Sequence, residues 1–186
     1  MNVKSYLIVV LVVLHLFVGI VSCSDLHQDW IDSENDIVRI HKYAMKIDSN
    51  KKKWGLEYRS YRDLLEIISI ADKEFSNDTV FSLNDAIAIM IKESRLNHRA
   101  INKNDGGKGL GQITQVSNWH PYLLPWYTDP FNKTQNIKAI RKCLNFKYQT
   151  YKTKYLAIKR YNGSTKKSDI YARHVLQISQ VLSRFG

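Results

Sequence analysis

The stretch from Phe81 to Gln115, FSLNDAIAIMIKESRLNHRAINKNDGGKGLGQITQ, constrains the fold more than any other part of the chain. Ser82 and Asp85 spell a capping box at a helix start, the hydroxyl accepting from a first-turn amide and the carboxylate reaching back to the cap. From Ala86 to Ile91 every residue is apolar. A helix with no wet face belongs at the centre of a domain. Yet this one runs into Lys92, Glu93 and Ser94. A carboxylate at the end of a buried helix is costly unless it is paired, reaches water or keeps its proton. Asp105, Gly106, Gly107, Gly109, Leu110, Gly111 and Gln112 follow. Glycines this dense let the backbone turn sharply and approach a ligand closely. Any fold for this chain must account for Glu93.

The remaining segments read as helices. Ser33 to Asp36 spells another capping box, followed by Ile37, Ile40, Ala44 and Ile47 at helical spacing. Asp48 to Gly55 is polar and lysine-rich and reads as a loop. Ser60 to Asp63 caps a further helix with Leu64, Leu65, Ile68, Ala71 and Phe75 on one face, and Ser76, Asn77 and Asp78 stop it. All three prolines, Pro121, Pro125 and Pro130, fall in an aromatic loop from Trp119 to Phe131. Helical spacing returns at Ile137, Ile140, Leu144 and Tyr148. The next helix covers Lys152 to Arg160 and stops at Tyr161, Asn162, Gly163 and Ser164, and a last one runs from about Ser168 to Ser183. No alternating strand pattern is present; at most a short hairpin fits between Asn104 and Ile113. Six or so helices in 186 residues define an all-α domain around a buried central helix.

Lys4 precedes an apolar run from Tyr6 to Val21, broken only by His15. A charged start followed by an apolar core marks an exported chain, expected in the periplasm or cell envelope. Ile20, Val21, Ser22 and Cys23 resemble a bacterial lipobox, which makes Cys23 a candidate lipidation site and the lipid a route to the membrane. An ordinary cleavage site beside a coincidental cysteine, or an uncleaved anchor, are the alternatives. The chain then divides into a signal segment (residues 1–23), an N-terminal helical part (24–78) and a core (79–186). With Cys23 lipidated or removed, Cys143 has no partner and reads as a small buried hydrophobe. Two distant cysteines and six scattered histidines, with no CxxC and no HExxH, assemble no metal site. No cofactor is expected. The net charge of +11 points to an acidic partner. For an exported chain that means anionic cell-wall glycopeptide or a membrane surface rather than nucleic acid; the plainer reading is a solvated basic surface.

From about Phe81 to Leu182 the chain resembles the catalytic domain of soluble-type lytic transglycosylases and the related goose-type lysozymes. The pieces are Glu93-Ser94 with Asn97, GLGQIT at Gly109 to Thr114, Asp129-Pro130 with Asn136-Ile137, Tyr161-Asn162-Gly163, and Tyr171 with Val175. Each is weak alone, since any helix can end in Glu-Ser; together, in order and suitably spaced, they are specific. Gly111 stands where that family usually has methionine, Arg160 and Ser164 depart from its AYNAG motif, and residues 24 to about 78 carry none of its motifs.

The resemblance implies a lysozyme-like fold that cleaves the β-1,4 bond between MurNAc and GlcNAc in peptidoglycan with one carboxyl, Glu93. Burial would keep Glu93 protonated near neutral pH to protonate the bridging oxygen. The MurNAc N-acetyl group would steady the cation, and Glu93 would then accept the C6 hydroxyl proton as a 1,6-anhydro ring closes. By the same resemblance Ser94 orients Glu93 through a hydrogen bond, and Gln112 with the amides of Gly109 to Gly111 holds the acetamido or peptide side of the sugar. Tyr161 and Asn162 line the cleft, and Tyr171 is cleft wall or core. Their plainer readings are a helix-terminal serine, a buried structural glutamine and a helix-stopping turn. Asp105 lies near the offset at which goose-type lysozymes carry a water-activating aspartate, which would make the reaction inverting hydrolysis; otherwise it forms an Asp-Gly turn. Trp119, Tyr122, Trp126 and Tyr127 offer faces for sugar stacking or pack their loop onto the core. A cell-wall-binding protein with an inactive cleft is the non-enzymatic alternative. A monomer is expected.

Overall fold

The computed structural model describes residues 23–114 and 125–185, with side chains from Glu34 onward. The apolar leader, Ile20 to Ser22, Trp119 and Tyr122 lie outside the described residues. Seven helices are described: α1 (Cys23–Ser49), α2 (Lys51–Trp54), α3 (Tyr61–Phe75), α4 (Leu83–Ser94), α5 (Lys133–Tyr151), α6 (Lys154–Asn162) and α7 (Lys166–Leu182). Among the described residues no strand forms, and no helix is long and apolar enough to cross a membrane. The domain is all-α.

The chain separates into two compact units, residues 1–39 and 40–186. In the first, the described residues are the start of α1, where Asp36 and Arg39 pair one turn apart at 3.2 Å on an exposed face. The expected helix start at Ser33 is not one. Nothing between Cys23 and Ser33 is glycine or proline, so the helix extends upstream and the capping-box letters lie within it. Asp48 to Gly55 is not a loop either. α1 continues through Ser49, and Lys51 to Trp54 form one more turn, closed by Gly55 in the left-handed region at φ 60°.

In the second unit α4 is the centre. Ala86 to Ile91 are all buried, and Ile87, Ile89 and Met90 expose nothing to solvent. Burial of side chains this size stabilises by roughly 1.5–3 kcal/mol each. α4 packs against α3, α5 and α7; α5 also meets α3 and α6, and α6 meets α7. The capping box forms as its letters predict: Asp85 N–H donates to Ser82 Oγ, and Ser82 N–H donates to Asp85 Oδ2 at 2.8 Å. The same carboxylate accepts from Ser179 Oγ of α7 at 2.8 Å and pairs with Lys154 of α6. One buried side chain therefore ties three helices. Ser60, Asn132 and Thr153 cap α3, α5 and α6 through their side-chain oxygens. Tyr161 and Asn162, expected in a turn, are the last two residues of α6, and Gly163 makes the stop.

Candidate active site

α4 ends where its sequence turns polar. Arg95 and Leu96 both take left-handed backbone, at φ 56° and 64°, and their amides donate to the carbonyls of Ile91 and Met90. Leu96 is fully buried, so the reversal is pinned by packing as well as by hydrogen bonds. This stop leaves Glu93 at the helix end, half-buried, on the wall of an open cleft of about 410 Å³.

The glycine-rich segment builds the facing wall. Lys108 bridges Ile101 on one side and Ile113 on the other, a miniature of the hairpin expected there. Asp105 Oδ1 accepts from the Gly107 amide at 2.9 Å, forming the Asp-Gly turn. Two glycines are dictated by space. A Cβ on Gly109 would sit 2.3 Å from both Asn136 Nδ2 and Pro130 O, and its φ is +75°. A Cβ on Gly111 would sit 2.4 Å from Ile140 Cγ1 and 2.6 Å from the Tyr161 hydroxyl. Asn136, on α5, explains the close approach. Its Oδ1 accepts from Gly111 N–H at 2.8 Å, while Nδ2 donates to the carbonyls of Lys108 at 3.1 Å and Pro130 at 2.9 Å and to Tyr127 Oη at 3.2 Å. Tyr161 adds a second clasp, its hydroxyl donating to Gly111 O at 2.7 Å.

The cleft is lined by Glu93, Asp105, Gln112, Tyr161 and Asn162, which come from three separate stretches of the chain. The fold thus brings five of the sequence-derived candidates together. Gln112 does so while also holding its loop: Nε2 donates to Gly109 O at 2.8 Å and Ala100 O at 3.3 Å, and its backbone sits in the left-handed region at φ 49°. Ser94 and Tyr171 are placed differently. Ser94 Oγ does not bond Glu93; it donates to Met90 O one turn back, at 3.1 Å. Adjacent helical side chains point well apart, so a buried serine finds its own i−4 carbonyl instead. Tyr171 is buried on α7 behind the cleft wall. Its hydroxyl has no partner of ordinary hydrogen-bond geometry among the described residues, yet it faces Glu93 closely enough to favour the carboxylate.

Burial is the main influence on Glu93 and raises its pKa from 4.5 to about 7. The negative charge of Asp105 pushes the same way, and the Tyr171 hydroxyl and the Lys92 ammonium oppose it. At neutral pH Glu93 therefore divides between acid and conjugate base. Burial also holds the phenols of Tyr161 and Tyr171 far into the neutral range, with the Glu93 charge adding to the effect. Cys143 is free and buried in the cleft wall, its thiol pushed up to about 12 by burial. Among the described residues no group of three or more histidines, cysteines or acids is placed to hold a metal ion.

The aromatic loop contributes less than its composition suggests. Tyr127 is a core residue, and Trp126 packs edge-on against it with the Lys138 ammonium 4.7 Å from its ring centre. Neither lines the cleft. The cleft instead takes Phe146, Lys147 and Arg160 from α5 and α6, two of which no motif marked. Phe146 and Lys147 follow Cys143 by three and four residues, on the edge of the apolar face of α5, and that position was their only sequence signal.

An all-α domain whose buried central helix delivers one half-ionised carboxyl to an open polar cleft has the architecture of the lysozyme-like class. The transglycosylase SLT domain family model matches residues 74–175, more than half of the 186-residue chain, and the chain belongs to that family. Membership brings with it peptidoglycan as substrate and lytic transglycosylation as the general activity. Searches of curated proteins and of solved structures returned no match.

Proposed function

We propose that this protein cleaves the MurNAc–GlcNAc β-1,4 bond of peptidoglycan without water, leaving 1,6-anhydroMurNAc ends, and that Glu93 is its catalytic acid and base. One observation carries the reading: a single carboxyl at the end of the central helix, raised to about pKa 7 and open to the cleft. A pKa near ambient pH suits a group that must give a proton and take one back. Protonated Glu93 donates to the bridging oxygen as the glycosidic bond breaks. The substrate's own N-acetyl group stabilises the cation at C1. Glu93, now a carboxylate, accepts the C6 hydroxyl proton as that oxygen bonds to C1 and closes the ring. The proton inventory balances within one side chain. Gln112, Tyr161 and Asn162 line the cleft where the sugar would lie. The leader segment supports export to the periplasm or cell envelope, with Cys23 as the candidate anchor.

A hydrolytic reading has one observation in its favour: Asp105 shares the cleft with Glu93. Its Oδ1 is engaged by the Gly107 amide, which supports the turn-forming role instead. Mass spectrometry of muropeptides released from purified sacculi by the full chain and by Glu93→Gln separates the readings. Anhydro ends from the wild type alone are expected. Hydrated reducing ends would make the protein a lysozyme, and binding without release would make it a wall-binding protein.

A further inference from the structure

We propose that Arg160, seconded by Lys147, forms an anion subsite beside Glu93 that engages a carboxylate of the substrate. This deepens the peptidoglycan reading and rests on it.

Four half-buried cations of the domain meet carboxylates: Lys133 meets Asp63 and Glu66, Arg141 meets Glu74 and Asp78, Lys154 meets Asp85, and Lys159 meets Asp169 at 2.9 Å. Arg160 and Lys147 have no such partner among the described residues, and both line the cleft. Arg160 Nε is fully buried and makes no hydrogen bond among the described residues. A buried charged donor without an acceptor is costly in the empty site, and that cost falls when an acceptor arrives. The Arg160 guanidinium lies 4.9 Å from the centre of the Tyr151 ring, which covers it and restricts its orientation. The Lys147 ammonium stands 5.7 Å from the Phe146 ring centre, and its charge is felt at Cys143 inside the cleft.

Among the described residues, nothing on the cleft wall pairs with these cations. The acids among its described lining residues are Glu93 and Asp105, and neither is within ion-pair distance of Arg160 or Lys147. A planar guanidinium fork, held by an aromatic face, suits a carboxylate. Peptidoglycan offers that group in two places: the lactyl carboxylate of peptide-free muramic acid, and the carboxylates of the stem peptide.

The test uses the full chain, wild type and Arg160→Gln, on glycan strands that carry stem peptides and on strands stripped of them. Each is assayed before and after its carboxylates are converted to neutral amides. Arg160→Gln is expected to raise KM about tenfold or more on the form bearing the recognised carboxylate, with kcat within about threefold, and to match wild type on the amidated counterpart. Stem-bearing or stripped strands showing the effect identifies the source. Lys147→Gln is expected to shift KM the same way by less, and Arg160→Lys to recover part of the loss. Those two variants carry the test where Arg160→Gln fails to fold. Equal KM for variant and wild type, or equal losses on amidated and free strands, would overturn the subsite while leaving the peptidoglycan reading in place. A wild type that neither binds nor cleaves any of the strands would overturn both.

Discussion

Glu93 keeps its proton to about pH 7 because burial penalises the carboxylate and Asp105 adds like charge, against the pull of Tyr171 and Lys92. Two outcomes follow at this scale. The basic limb of kcat/KM is expected near pH 7, with activity falling as pH rises and the acid form is lost. Glu93→Gln, which keeps the shape and loses the proton, is expected to lower kcat by roughly 10²–10⁴-fold or more, measured by muropeptide release. Asp105→Asn preserves the acceptor for Gly107 and removes the charge that raises Glu93, so the basic limb is expected to move to lower pH. If ring closure is the reaction, kcat at low pH should stay within about tenfold of wild type; loss on the scale of Glu93→Gln would instead identify the second carboxylate of a hydrolase. Glu93 was legible as a candidate in the sequence: a carboxylate after six consecutive apolar residues reads as an exposed helix-terminal acid by itself, and the downstream motifs shift the reading to the cleft. The partner of Ser94 was not legible: which acceptor a hydroxyl finds depends on distances that letters do not carry.

At the scale of elements, the cleft wall is a loop held by a helix. Asn136 satisfies an amide and two carbonyls of the segment around Gly109 and Gly111, and Tyr161 satisfies another carbonyl. Asn136→Ala leaves those groups unpaired and is expected to cost about 2–4 kcal/mol of stability in urea unfolding, with activity falling as the wall loosens. Gly111→Ala is expected to act more locally. The added methyl meets the side chains of Ile140 and Tyr161, so catalysis should fall by more than stability does. The motif letters announced both residues but not their relation. Asn136 lies twenty-five residues beyond Gly111, and only the packing of α5 beside the loop makes the amide their link. The helix starts at Ser60 and Ser82 were readable because capping is local. The capping-box letters at Ser33 mislead for the same reason: a capping box reports a start only where the chain upstream leaves the helix.

For the whole molecule, the titrating groups pull stability in opposite directions. Burial alone would raise the carboxyls of Asp63 and Asp78, but charge and hydrogen bonds outweigh it. Lys133 and the Arg59 amide hold Asp63 below 3.8, and the Phe81 amide, Asn145, the Val80 amide and Arg141 do the same for Asp78. These contributions are present above the unfolded value and are lost as pH falls through the folded one. Glu93 has the reverse sign. Below about pH 4.5 both states hold its proton; between there and about pH 7 only the unfolded chain ionises, so stability falls as pH rises and the full penalty stands above 7. Urea unfolding of the wild type against pH is therefore expected to lose stability on both sides of about pH 4–5 where these groups dominate. Glu93→Gln is expected to stabilise by roughly 1–3 kcal/mol above pH 7 and by nothing below pH 4. On the proposed role of Glu93, a penalty of this sign is stability given up for reactivity.

Sequence alone determined what periodicity and local chemistry can carry. It identified an all-α domain, a central helix with no wet face, its capping box, and an ordered set of motifs that named Glu93, Gln112, Tyr161 and Asn162. Tertiary structure decided what depends on groups remote in the chain meeting at short range. Residues from four separate segments share one cleft, Tyr171 stands behind Glu93 rather than on the wall, and Asn136 clasps the glycine turn. Arg160 and Lys147 share the cleft with Glu93 and have no carboxylate partner among the described residues. Local pattern is a property of neighbours along the chain, whereas a raised pKa and an unpaired cation are properties of burial, which only the folded packing sets.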